Sequence, residues 1–234
     1  MLIPFFVLSQ EPETKQASAA SKNIYLDLLV GGAFPAGNSY PSTNTDDKKA
    51  GFAVTGFLLQ GSFDWMGKKD LGIAFQVTYQ NNPINDKVTY DTLEGNVFPI
   101  GTGNWQNIYI MAGPVYVKKI KKFIIDAKVT GGFIISTGPV FSMTNPETKQ
   151  RENKTATGFG LGLGAGAAYK ITSHLAFRLG LGYLAGFPSV SKQYAAYPYW
   201  DYSKNQIVYT APVEIKISKA VSSFDAGLGI IILF

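Results

Sequence analysis

Apolar residues recur at every second position over most of this chain, with small or polar residues between them. Over 23–34, Ile24, Leu26, Leu28 and Val30 share one face, and Asp27 and Gly31 take the other. Over 51–66, Phe57, Leu59, Phe63 and Trp65 oppose Gly56, Gln60, Ser62 and Asp64. Leu71, Ile73, Phe75, Val77 and Tyr79 then alternate with Gly72, Ala74, Gln76, Thr78 and Gln80. The pattern returns at Phe123, Ile125, Ala127 and Val129 against Asp126, Lys128 and Thr130. Glycines at 158, 160, 162, 164 and 166 face away from Phe159, Leu161, Leu163 and Tyr169, after which Leu175, Phe177, Leu179 and Leu181 oppose Arg178, Gly180 and Gly182. Period 2 is the repeat of a β-strand with one apolar face. With 105–118, where Pro114 leaves the facing ambiguous, and a last alternating segment at 224–234, these make eight strands.

The connections alternate in length. Those near 67–69, 119–122 and 171–174 are short, whereas 35–50, 81–104 and 137–157 are long and polar. No run of 18 apolar residues follows the N-terminal segment, which excludes a helical membrane span. The only β form that satisfies its backbone in lipid is a closed barrel. Strands of about ten residues, apolar on one side and polar or small on the other, predict an all-β fold, an antiparallel transmembrane up-and-down β-barrel of eight strands. The segment 206–218 (Ile207, Tyr209, Val213, Ile215, Ile217) also alternates. It reads as a β extension of the last extracellular loop, with a ten-stranded barrel as the alternative.

The two ends of the chain carry their own signals. Met1-Leu-Ile-Pro-Phe-Phe-Val-Leu-Ser-Gln10 is an apolar run too short to span a bilayer and similar to the hydrophobic region of a signal peptide. The expected organisation is therefore a signal peptide at 1–10, a polar linker at 11–21 and a barrel at 22–234. At the other end Phe224, Ala226, Leu228, Ile230, Ile232 and Phe234 alternate up to a terminal aromatic residue.

Composition narrows the chemistry. Charged residues are 16% of the chain, well below the roughly 25% of ordinary soluble domains. The absence of Cys removes disulfides, thiolate nucleophiles and Cys-based metal sites together. The single His, His174, stands beside Ser173 in a tight connection. That is turn chemistry, because a nucleophile relay needs a Ser, a base and an orienting carboxylate converging in a pocket. No enzyme activity, cofactor or metal is expected. The net charge of +5 has one dense source, Lys118, Lys119, Lys121 and Lys122 at a strand end. No nucleic-acid module accompanies it, so water or anionic lipid headgroups are its expected neighbours.

The interior of an eight-stranded barrel is just wide enough for side chains to fill. The inward positions carry Asp27, Gln60, Asp64, Gln76, Asp126, Lys128, Lys170, Arg178 and Asp225. Buried charges must pair or are very costly, which predicts a salt-bridged polar core around Arg178 and Lys128, with the glycines making room for the long basic side chains. The alternative is a narrow path for ions or small solutes. In the last loop Tyr194, Tyr197, Tyr199, Trp200 and Tyr202 gather. Tyr and Trp concentrate at membrane interfaces and at binding surfaces alike, so they are a girdle or a ligand surface.

On these features residues 22–234 resemble outer-membrane β-barrels of the OmpA/OmpX type, and the Leu8-Ser9-Gln10 boundary and Gly-rich strand pairs resemble versions common in Bacteroidota. The resemblance implies export to the outer membrane of a Gram-negative bacterium and contact with its lipid. It also implies insertion by a barrel-assembly machinery that reads Phe224, Leu228, Ile230, Ile232 and Phe234. Members of that class serve as anchors, adhesins, small pores or accessory subunits of membrane complexes. The leading expectation is a non-enzymatic barrel presenting its loops to an extracellular ligand or a membrane partner. A narrow pore and a soluble lipid-binding β-barrel or sandwich are the alternatives.

Overall fold

The computed structural model describes residues 24–42, 51–67, 70–85, 90–93, 96–99, 101–141, 155–188, 191–195, 198–209, 213–217 and 220–234. Residues 1–23, which hold the expected signal peptide and linker, lie outside them. Eight long strands form one closed antiparallel barrel: β1 (Ile24–Ala36), β2 (Gly56–Met66), β3 (Leu71–Pro83), β4 (Asn104–Ile120), β5 (Phe123–Thr137), β6 (Thr155–Lys170), β7 (Leu175–Pro188) and β8 (Val221–Leu233). Each pairs with its sequence neighbours, and β1 closes on β8 from Tyr25↔Leu233 to Ala36↔Ser222. No edge strand is left, so every strand of the barrel has its ladder satisfied on both sides.

The alternation read from the sequence sets the inside and outside of this wall. Leu28, Val30, Leu59, Phe75, Val77, Ile110, Val129, Leu161, Leu163, Leu179, Leu181 and Leu228 point outward and are exposed. Exposed aromatics bound this band, with Phe34, Phe57, Phe133, Phe159, Phe187 and Phe224 toward the long loops and Trp65, Tyr116, Phe123, Tyr169, Phe177 and Phe234 toward the short turns. No outward strand position between the two girdles is charged. An apolar outside over a charged inside is the reverse of a soluble barrel and is the arrangement lipid selects.

Some boundaries differ from the sequence reading. Residues 51–55 alternate in kind but do not extend β2; they turn over the barrel mouth, where Ala53 bridges Ile84 and the Val54 amide donates to the Pro83 carbonyl. β3 runs on through Asn81 and Asn82 to Pro83, residues that had read as loop. β4 keeps its register through Pro114, with Ala112↔Gly131 on one side and Val115↔Lys128 on the other, so Pro114 removes one ladder donor without shifting the strand. Residues 206–209 and 213–217 stay out of the barrel: 206–209 pair with 198–201, and 213–217 pair with 191–195. The barrel therefore has eight strands and not ten.

Candidate functional site

Inward-facing side chains fill the barrel in three layers. At the turn end Tyr25, Met66, Ala74, Val115, Val117, Ile124, Ala168, Ala176, Ile231 and Leu233 form an apolar cluster. Above it lies a layer of ion pairs. Arg178 on β7 donates to Asp126 on β5 in a bidentate pair, Nη1 to Oδ2 at 2.6 Å and Nη2 to Oδ1 at 2.8 Å. Arg178 Nε lies 3.2 Å from Asp27 Oδ2 of β1. That contact is an ion pair without hydrogen-bond geometry, and neither Asp27 oxygen accepts a hydrogen bond. Lys128 on β5 donates to Ser62 Oγ at 2.9 Å and pairs with Asp64 Oδ2 at 3.3 Å, while Ser62 Oγ donates to Asp64 Oδ1. All of these charges are buried, where broken pairs are expensive.

The Gly stripe on β6 is what lets the basic side chains cross the lumen. A Cβ on Gly166 would stand against Arg178 Nη2 and fall 2.6 Å from its Cζ and 2.7 Å from Asp126 Oδ2; one on Gly164 would meet Lys128 Cγ at 3.0 Å. Among the described residues Asp225 on β8 makes no ion pair. It accepts instead from Gln80 Nε2 at 2.9 Å and from Ser223 Oγ at 2.9 Å. Gln76 Nε2 donates to Gln60 Oε1 at 3.2 Å and to Thr78 Oγ1 at 3.0 Å. Lys170 ends β6 at the turn, half-buried, whereas the buried ion pairs of the column are made by Lys128 and Arg178. A cavity of about 20 Å³ remains between Gln60, Gln76, Lys128, Arg178 and Asp225, room for about one water.

Toward the long loops the lumen is closed again. Tyr40, Phe52 and Ala53, from the connection after β1, pack on Ile84, Trp105, Tyr109, Met111, Ile134, Leu184 and Val221. Tyr40 is the pin. Its hydroxyl donates to Asn82 Oδ1 at 3.2 Å and accepts from Asn107 Nδ2 at 3.1 Å, and Ser136 Oγ donates to Asn107 Oδ1 at 2.6 Å. Trp105 Nε1 donates to the Gly51 carbonyl at 2.7 Å, and its ring meets Tyr40 edge-on at 5.5 Å. Burial raises the Tyr40 pKa above the ordinary tyrosine value, against the Asn107 hydrogen bond, which works to lower it.

Sequence reasoning missed this cap and the Gln80, Asn82, Asn107 and Ser223 network. The signal for Asn82 was present, because it continues the phase of Gln76, Thr78 and Gln80. Of the loop aromatics, Tyr202 is 89% exposed, Tyr197 lies outside the described residues, and only the strand backbone of Tyr194, Tyr199 and Trp200 is described. At the C-terminus Phe224, Leu228, Ile230 and Phe234 are exposed on the outer face, with Ile232 half-buried beside them. Ser173 Oγ and His174 Nδ1 lie 2.8 Å apart on the exposed turn between β6 and β7. There Thr172 Oγ1 accepts from the amides of His174 and Leu175.

A closed eight-stranded barrel with an apolar belt, two aromatic girdles and a salt-bridged lumen is an integral β-barrel of the outer-membrane type, the class to which OmpA/OmpX-like folds belong. No protein-family model matches the sequence, and no curated protein matches it. Among solved structures the chain is similar to Neisserial surface protein A, at 13% identity over 90% of this chain and 97% of that one, with a TM-score of 0.52. It is also similar to the outer membrane protein OprG of Pseudomonas aeruginosa, at 10% identity over 92% and 97%, with a TM-score of 0.54. At these identities the likeness is one of fold.

Proposed function

We propose that this protein resides in the outer membrane as a non-enzymatic scaffold, and that it acts through its loops, above all residues 189–220, on an extracellular ligand or a neighbouring membrane partner. The observation that carries this reading is the filled lumen. Two apolar layers and a crossed set of ion pairs occupy it, and the cavity among Gln60, Gln76, Lys128, Arg178 and Asp225 has room for about one water, which favours position over passage. The last connection meanwhile carries two strand pairs of its own, 191–195 with 213–217 and 198–201 with 206–209, and Tyr194, Tyr199 and Trp200 fall on those strands. The short turns then face the periplasm, and the exposed row ending at Phe234 serves the assembly machinery.

The test is deletion of 194–205. The truncated chain should keep a heat-modifiable gel shift, showing a folded barrel, and lose capture of the partner in crosslinking pull-downs from intact cells. Unchanged capture would reject the loop reading. Planar-bilayer recordings of the intact protein should show no conductance steps, and steps that change with Arg178→Ala would replace this reading with the pore.

A further inference from the structure

The turn end of the barrel is charged on one side. Lys118, Lys119, Lys121 and Lys122 end β4 and open β5, and Lys170 ends β6 next to them, its amide donating to the Lys122 carbonyl at 2.8 Å. The acid set among them is Asp70, which pairs with Lys118 Nζ at 3.1 Å. Among the described residues, five lysines against one aspartate thus share the turn ends of four adjacent strands, β3 to β6.

The ledge stands directly beside the lower aromatic girdle. Lys122 Nζ lies 5.9 Å from the centroid of Tyr169, whose ring meets Phe123 edge-on at 5.3 Å. Lys119 continues the inward phase of Val115 and Val117, and its Nζ lies 5.4 Å over the ring of Tyr25 in the apolar layer, at the mouth of the lumen. Tyr116, Ile120, Phe123, Ile125, Tyr169 and Ile171 are all exposed on the same flank. Ammonium groups held at the level where amphipathic rings meet the apolar belt stand where lipid phosphates lie. Lys122 stands on the outer side of this end, and the apolar layer of Val115, Val117 and Ile124 separates the whole ledge from the carboxylates of the lumen.

We propose that this ledge binds the phosphodiester headgroups of anionic phospholipids in the leaflet facing the short turns, with their acyl chains against Phe123, Ile125 and Tyr169. The site would make the barrel lipid-selective on one flank and fix its rotation relative to neighbours that share the same lipid. This inference rests on the membrane reading above, and the two fail differently.

The experiment is native mass spectrometry of the full chain, folded in detergent and titrated with phosphatidylglycerol or phosphatidylcholine. The wild type should retain phosphatidylglycerol preferentially, and added salt should weaken the preference. Lys121→Gln and Lys122→Gln should each weaken retention roughly two- to fivefold, and with Lys119→Gln together at least about tenfold, while the three Lys→Arg changes keep it. The triple variant leaves the Lys118–Asp70 pair intact, and its heat-modifiable shift reports that it folds. Equal retention of the two lipids by a folded wild type, a preference untouched by the triple Gln variant, or displacement of the lipid by glycerol phosphate at equal concentration would overturn the proposal. A wild-type chain without a heat-modifiable shift would overturn the membrane reading instead.

Discussion

Arg178→Met tests whether the lumen is held by its ion pairs. Arg178 closes a bidentate pair with Asp126 at 2.6 and 2.8 Å and faces Asp27 at 3.2 Å, all three side chains being nearly fully buried. Removing the guanidinium leaves two carboxylates in the lumen without their cation, a loss of about 3–5 kcal/mol for a broken buried pair. Met keeps the aliphatic stem but ends short of the guanidinium, so the part of the loss that is charge and not packing is read from the rescue that follows. Urea titrations in phospholipid vesicles, read by the folded and unfolded bands on unboiled gels, should show it. Adding Asp27→Asn and Asp126→Asn to Arg178→Met should restore more than half, because the stranded charges are then gone. Gly166→Ala supplies an independent arm. Its methyl would fall 2.6 Å from Arg178 Cζ and 2.7 Å from Asp126 Oδ2, and over-packing of that kind costs about 1–3 kcal/mol. With Arg178 already replaced by Met the clash is relieved, so the double variant should be more stable than the sum of the singles by about 1 kcal/mol or more. A loss below about 1 kcal/mol for Arg178→Met, or additivity of the two changes within about 0.5 kcal/mol, would refute the reasoning.

Three further outcomes follow from the ends of the barrel. Tyr40→Phe deprives Asn82 Oδ1 and Asn107 Nδ2 of a shared partner, costing about 1–3 kcal/mol; faster amide exchange at Gly51, Phe52 and Ala53 should report it, and unchanged exchange would show that the hydroxyl does not hold the cap. Because burial raises the Tyr40 pKa, the folded cap keeps its proton where the unfolded chain loses it, so the cap's stability is complete below the ordinary tyrosine value and falls as pH climbs through and above it. A phenolate absorbance titration in which every tyrosine ionises together without loss of the cap would contradict this. Phe234→Ala should leave refolding in detergent unchanged within about 0.5 kcal/mol, the ring being exposed, and should lower the amount of barrel assembled in cells; equal assembly would remove the terminal aromatic from the signal.

The wall of the barrel was legible because each strand obeys one rule, apolar at the lipid-facing phase and small or polar at the other. The rule fails at the two ends of the lumen, where the inward phase is apolar as well. Around Val115-Tyr116-Val117 and Ile230-Ile231-Ile232-Leu233 both phases are apolar and the period disappears, so the inward set looked like a continuous polar column when it is an ionic layer between two apolar ones. The partners of Arg178 were partly legible, since four inward aspartates and three inward cations, Lys128, Lys170 and Arg178, have to meet somewhere. Which meets which depends on register across strands distant in sequence, Asp27 from Arg178 above all, and no local pattern records that. The cap was illegible for a related reason: Tyr40 and Phe52 lie in a connection with no period, and their burial comes only from the barrel mouth they cover.

A lumen layered in this way separates what stabilises the protein from what it does. The Arg178, Asp126 and Asp27 cluster is built from β7, β5 and β1, and the strand pairs 191–195 with 213–217 and 198–201 with 206–209 lie outside the closed ladder. If the loops are the working surface, substitutions in the cluster should lower stability at unchanged partner capture, and substitutions at Tyr194 to Tyr202 should do the reverse. A pore would couple the two, because the residues that hold its wall apart would also line its path. Two sets of variants measured for unfolding and for capture therefore discriminate between the readings without knowledge of the ligand.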